Sequence, residues 1–122
     1  MRERIFSYSK EEYGVTPEYL WARFPSYAVL RRADSRKWFG LIMDIPFEKI
    51  DKDKNGKVDI INVKLDDTML LDLLLTQEGF YKGYHISRGN WISVTLDGRV
   101  DIKKIFELLD ISYAAAGKNK KR

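Results

Sequence analysis

Residues 58–75 decide the fold. Val58-Asp-Ile-Ile-Asn-Val-Lys-Leu65 runs without a gap into Asp66-Asp-Thr-Met-Leu-Leu-Asp-Leu-Leu-Leu75. In the first part Val58, Ile60, Asn62 and Lys64 alternate with Asp59, Ile61, Val63 and Leu65. The second set forms an apolar face, broken only by Asp59 at the loop end, so this is a strand with one buried side. Asp66 then stands where a helix N-cap belongs, for a helix over 67–76. Met69, Leu70, Leu73, Leu74 and Gln77 share one stripe, widened by Leu71 and Leu75, which predicts a helix in the main core.

Working toward the N-terminus, a charged loop spans 46–57, and Pro46 ends a strand that covers 37–44. Ala33-Asp-Ser35 makes a short turn back to a strand at Tyr27–Arg32, so these two form an antiparallel hairpin. Residues 15–26 hold Pro17, Trp21, Phe24 and Pro25, a loop too rich in large rings to float free of the sheet. Residues 2–13 place Ile5, Phe6, Ser9 and Tyr13 near helical spacing, and Gly14 is the stop.

Toward the C-terminus, Glu78-Gly79 closes the apolar helix, and strands over Phe80–Ile86 and Trp91–Leu96 flank Ser87-Arg-Gly-Asn90. Asp97-Gly98 turns the chain, and Asp101 caps a last helix with Ile102, Ile105, Phe106, Leu109 and Tyr113 inward, up to Gly117. The order is α-β-β-β-α-β-β-α. It predicts an α+β two-layer sandwich, a largely antiparallel five-stranded sheet with helices on one face. The spacing leaves the strand order open.

One domain over 1–116 and a basic tail over 117–122 account for all 122 residues. The net charge of +4 belongs to that tail, through Lys118, Lys120, Lys121 and Arg122; the rest carries 18 basic and 18 acidic residues. Such a tail binds polyanions weakly or keeps the protein soluble. The absence of cysteine excludes a disulfide framework, a thiol nucleophile and thiolate metal sites. A lone histidine excludes two-histidine metal motifs. No apolar run approaches the ~18 residues of a membrane span, and the N-terminus lacks the apolar core of a signal peptide. A soluble cytoplasmic domain without a cofactor is the expectation.

Three constellations carry possible chemistry. Asp51-Lys-Asp-Lys-Asn-Gly-Lys-Val-Asp-Ile-Ile-Asn62 matches a calcium loop at several positions, but it ends on Asn62 where a bidentate Glu is needed. Its flanks are a proline and a strand instead of helices, so a turn without metal is expected. Tyr81-Lys82-Gly-Tyr84-His85-Ile-Ser-Arg88-Gly-Asn-Trp91 gathers the histidine, aromatics and cations. Rings beside cations suit nucleic-acid or protein contact, and equally a small core. No nucleophile elbow or phosphate-binding glycine loop accompanies them, so no catalytic residue is assigned. Arg31, Arg32, Arg36 and Lys37 bracket the first hairpin turn, where a cationic wing can reach phosphates, although Asp34 dilutes it.

Pro17-Glu-Tyr-Leu-Trp21, Phe24-Pro-Ser-Tyr-Ala28, Lys37-Trp38, Gly83-Tyr-His85 with Trp91, Leu96-Asp-Gly98 and Ile111-Ser-Tyr113 together resemble the MmcQ/YjbR family, over nearly the whole chain. The resemblance implies a compact bacterial domain of α-β(3)-α-β(2)-α type, CyaY-like or secretion-chaperone-like. It also implies a non-enzymatic, DNA-binding role through a double wing of β-hairpins. Where the family typically reads YHMNK-x-HW, Tyr84, His85 and Trp91 match and Arg88 keeps the cation. Ser87 and Asn90 replace an asparagine and a histidine.

The candidate contacts to double-stranded DNA are therefore Arg31, Arg32, Arg36, Lys37, Lys82, Tyr84, His85 and Arg88, with Lys118, Lys120, Lys121 and Arg122 of the tail. This reading needs them gathered on one face. The alternative is a protein-interaction or chaperone-like module, dimeric, with an apolar patch exposed at Trp38 or along Met69–Leu75.

Overall fold

The computed structural model of the chain describes residues 1–86 and 89–117. The elements follow in the expected order. They are α1 (Arg2–Tyr13), β1 (Ala28–Arg31), β2 (Trp38–Pro46), β3 (Lys57–Lys64), α2 (Thr68–Leu74), β4 (Phe80–Lys82), β5 (Trp91–Thr95) and α3 (Ile102–Ala116). A single 3-10 turn, Phe47–Lys49, follows β2.

The strands form one antiparallel sheet in the order β1-β2-β3-β5-β4. Because β5 lies between β3 and β4, those two run the same way, and the chain must cross over between them; α2 lies in that crossover. Leu30 pairs with Gly40 but Arg31 with Trp38, so Phe39 is an extra residue in β2. This bulge turns Phe39 and Ile42 to one face and Leu41, Met43 and Ile45 to the other.

All three helices serve the first face. Ile5 of α1, Leu74 of α2 and Ile105, Leu108 and Leu109 of α3 join Phe39, Ile42, Ile61, Val63, Ile92 and Val94 in one core. Gly14 caps α1 at φ 67, the left-handed geometry its position requires. The Asp101 carboxylate accepts from Lys103 N at the start of α3. Between these helices, Tyr8 stacks on Phe106 at 4.0 Å and Tyr13 on Tyr113 at 4.1 Å. Both phenols donate to Asp110, Tyr8 at 2.8 Å. Burial, and then the Asp110 hydrogen bond, push the Tyr8 phenol up to about 12 and raise Tyr13 for the same reasons. Arg2 ties α1 to the sheet, its Nε 3.0 Å from Asp59 Oδ2 and its Nη1 donating to Ser26 O at 2.7 Å. The apolar face of β3 thus ends on an ion pair.

Three local expectations need correction. The α2 cap is Asp67, whose carboxylate accepts from Met69 N and Leu70 N, and the helix has only seven residues. Only Leu74 of it is fully buried, while Met69 is 82% and Leu73 58% exposed. A two-turn helix with leucines all round can set just one side against a sheet. Pro46 is the last residue of β2, paired with Lys57, instead of a breaker before it. β4 stops at Lys82 and does not reach Ile86. At Gly83 the backbone passes so close to Trp91 that an added Cβ would lie 2.8 Å from the Trp91 Cβ.

On the second face no α-helix lies, yet Val29, Leu41, Met43, Ile45, Val58 and Ile60 are buried. Trp21, Tyr27, Ile50, Tyr84 and Ile86 from loops cover it, together with Trp38 of β2 and Tyr81 of β4. The 15–26 loop is pinned along β1 by two backbone hydrogen bonds, Glu18 N to Val29 O at 2.9 Å and Val29 N to Glu18 O at 2.8 Å. This pairing also shields part of the sheet edge. No helix among the described residues is long and apolar enough to cross a membrane.

Two outcomes follow from this packing. The buried Ser112 hydroxyl donates to Phe39 O at 2.7 Å and accepts from Lys64 N at 2.8 Å, joining α3 to β2 and β3. Ser112→Ala strands both backbone groups and is expected to cost about 2–4 kcal/mol in urea unfolding; a loss near zero would contradict this role. The tyrosine seam gives an alkaline limit. Between the unfolded value of about 10 and the folded value of about 12 for Tyr8, the unfolded chain ionises first. The stabilisation is therefore whole below pH 10 and fades as pH rises toward 12, read as a falling urea midpoint. Tyr8→Phe should flatten that fall.

Candidate functional site

The turn after β4 rests on a buried polar pair. Asn62 and Ser93 are both fully buried, on neighbouring strands, and the Ser93 hydroxyl donates to Asn62 Oδ1. Tyr84 N donates to Ser93 Oγ at 2.9 Å and to Asn62 Oδ1 at 3.2 Å. Two strands thus draw one backbone N–H out of the ladder, and residues 83–86 fold over the helix-free face. His85 follows at φ 60, a left-handed conformation that costs a non-glycine residue about 1–2 kcal/mol. Its ring is exposed and meets the Tyr84 ring edge-on at 4.1 Å.

Between this turn and the 15–26 loop lies an open trough of about 340 Å³. Trp21, Phe24, Tyr27 and Trp38 wall it, Leu41 and Met43 lie beneath, and His85 and Ile86 form the remaining rim. Trp21 stands edge-to-face on Trp38 at 5.9 Å, and Phe24 stacks on Tyr27 at 4.7 Å. Among the described residues no carboxylate or lysine lines it.

Two lysine-bearing hollows adjoin the trough. One hollow of about 390 Å³ shares Trp38 and Ile86 with the trough and adds Lys37, Lys64 and Trp91. Another of about 390 Å³ shares His85 and adds Lys49, Tyr81, Lys82 and Tyr84. Lys64 lies 3.6 Å from Asp66, whereas Lys49 and Lys82 have no carboxylate partner among the described residues. The acids nearby are engaged. Asp51 accepts the Tyr81 hydroxyl at 2.8 Å; that bond, with the Asp53 amide, holds its carboxyl below the ordinary range. Burial, and then Asp51, push the Tyr81 phenol up to about 12. Asp44, lowered chiefly by the Ser26 hydroxyl, also faces Lys57 at 3.4 Å.

The hairpin arginines line a different hollow. Arg31 lies 3.3 Å from Glu18. Arg32 forms a fork with Asp34 at 2.8 and 2.7 Å, donates to Tyr113 O at 2.9 Å and lies over the Tyr113 ring. That fork, with the Ser35 amide, holds the Asp34 carboxyl well below the ordinary range. These two arginines brace the hairpin against Glu18 and α3. Arg36 is exposed at the tip, at φ 67. The structure brings Lys82, Tyr84 and His85 together and places Lys37 in a second hollow that adjoins the trough. It groups Arg31, Arg32 and Arg36 in a separate hollow that includes Glu18. Arg88, Lys118, Lys120, Lys121 and Arg122 lie outside the described residues.

Sequence reasoning missed Trp21, Phe24, Tyr27, Lys49 and Lys64 as site residues. The ring density of the 15–26 loop carried the signal for the first three. In the calcium-like loop, Asp51 instead accepts from Asp53 N at 3.1 Å, and Asn62 is buried in β3. Among the described residues no group of three or more His, Asp or Glu is placed to hold a metal.

Comparison with known proteins places this architecture. The YjbR family model matches residues 11–115. The chain is 38% identical over 112 residues to the uncharacterised protein YyaQ of Bacillus subtilis (strain 168), covering 92% of this chain and 94% of that one. A crystal structure of a Pseudomonas syringae protein superposes with a TM-score of 0.88 at 35% identity, over 95% of this chain and 98% of that chain. Deinococcus radiodurans DR2400, a DUF419 domain, shares the fold with a TM-score of 0.71 at 20% identity, over 97% and 79% of the two chains.

The turn offers a direct check. His85→Gly releases the left-handed strain, so urea unfolding is expected to show stability unchanged or raised by up to about 1 kcal/mol. A clear loss would mean that the imidazole itself holds the turn.

Proposed function

We propose that this chain, which belongs to the YjbR family, is a nucleic-acid-binding domain that performs no chemistry on its ligand. The reading is carried by one observation: two lysine-bearing hollows adjoin an aromatic trough that no carboxylate lines among the described residues. Phosphates supply a repeating negative charge that such flanks can bracket, and backbone contacts of this kind dominate affinity. DNA is the ligand that the family resemblance implies, and the protein is then a cytoplasmic one. The contact surface differs from a wing of hairpin arginines, because Arg31 and Arg32 face Glu18 and Asp34. A non-enzymatic role is supported by His85, whose ring meets another ring instead of a carboxylate that could orient it for proton transfer.

A second reading, a protein-interaction module, is favoured by the exposed Met69 and Leu73 of α2. Salt separates the two readings, since apolar contact would not weaken as counterions are added.

Fluorescence anisotropy with a labelled oligonucleotide tests the first. If four lysines each meet a phosphate, log K falls with log salt at a slope of roughly −3, about fifty-fold between 50 and 200 mM. Replacing Lys49 and Lys82 by glutamine should lower the slope by about 1.4. Absence of binding to any oligonucleotide at low salt would refute this function.

A further inference from the structure

We infer that the trough is a binding site for an unpaired base, so that the strand held by the flanking lysines is single-stranded. The inference rests on the nucleic-acid reading and adds the form of the ligand and the place of contact. In a duplex the bases are stacked inside, and only their edges reach the grooves, as hydrogen-bonding patterns. The trough offers mainly ring faces and aliphatic surface. Its walls are Trp21, Phe24, Tyr27 and Trp38, its underside is Leu41 and Met43, and the polar tip facing it is His85. Rings and aliphatic groups instead offer stacking and burial, to which every base presents a face.

The charge pattern agrees. The apolar stretch is continuous with two lysine-bearing hollows, one through Trp38 and Ile86 and the other through His85. A strand whose base enters the trough can set its neighbouring phosphates in these hollows. Phe24, 47% exposed, and His85, held at φ 60 where glycine would be unstrained, are rim groups that the fold itself does not require to be buried. Because stacking on rings does not depend on which base is stacked, binding is expected to tolerate many sequences, with a preference for flexible, unstructured strands.

The test compares four ligands by anisotropy at one salt concentration: a single-stranded oligonucleotide, its duplex, an abasic strand with the same phosphates, and an apolar peptide. The full chain is used with Phe24→Ala and His85→Gly, each checked by circular dichroism and melting. The single strand should bind at least about ten-fold more tightly than duplex or abasic strand, and quench tryptophan fluorescence. Phe24→Ala should weaken single-strand binding by about five- to a hundred-fold and leave the abasic strand unchanged. If all three polyanions bind alike and Phe24→Ala changes nothing, the trough inference is overturned while the nucleic-acid reading stands. If none binds, both fall. Binding of the peptide alone would reassign the trough to a protein partner. Should Phe24→Ala fail to fold, His85→Gly and the abasic strand still decide.

Discussion

Hydrophobic burial has to be completed twice in this molecule, once on each face of its sheet. Valine, isoleucine and leucine point both ways from β1, β2 and β3, yet α1, α2 and α3 all pack on one side. Leaving Val29, Met43, Ile45, Val58 and Ile60 in water would forfeit roughly 1.5–3 kcal/mol for each side chain. Loops therefore have to cover the second face, and loops cover area best with large rings. Trp21, Tyr27 and Tyr84 supply them, beside the strand residues Trp38 and Tyr81. A layer of loops closes less completely than a helix, and the trough lies where two of these loops meet.

Covering a face with loops demands anchors, because each ordered residue costs conformational entropy. The Glu18–Val29 backbone pair anchors one loop, the Asn62–Ser93 pair anchors the turn at Tyr84, and the Asp51–Tyr81 hydrogen bond fastens the segment after β2. Each is a polar contact made in the service of apolar burial. The charged residues of β3 follow the same division. Asp59 meets Arg2 on the helix side, while Lys64 lines a hollow beside the trough on the other.

Much of this architecture is legible in the sequence where it depends on neighbours in the chain. The helix over 2–13 with its Gly14 cap and the Asp101 cap of α3 are local signals, and the structure has them. What depends on distant partners is not legible. β4 ends early because Asn62 and Ser93, far away in sequence, capture Tyr84 N. Asp34 stands beside Arg32 in the sequence, but the reach of Arg31 to Glu18 and of Arg32 to Tyr113 O needs coordinates. Period-two alternation assigned Val58 and Ile60 to the outer set, although both faces of β3 are buried. For the same reason the hairpin arginines looked like a surface, and the lysines around the trough did not.

The account stands or falls on which face meets the ligand. Titrating a nitrogen-15-labelled sample with a single-stranded oligonucleotide, while following amide and indole resonances, locates it directly. The account expects the Trp21 and Trp38 indoles and the amides of residues 84–86 to shift together, with those of α1 still. Shifts confined to the Arg31–Arg36 hairpin tip, or to α2, would contradict it.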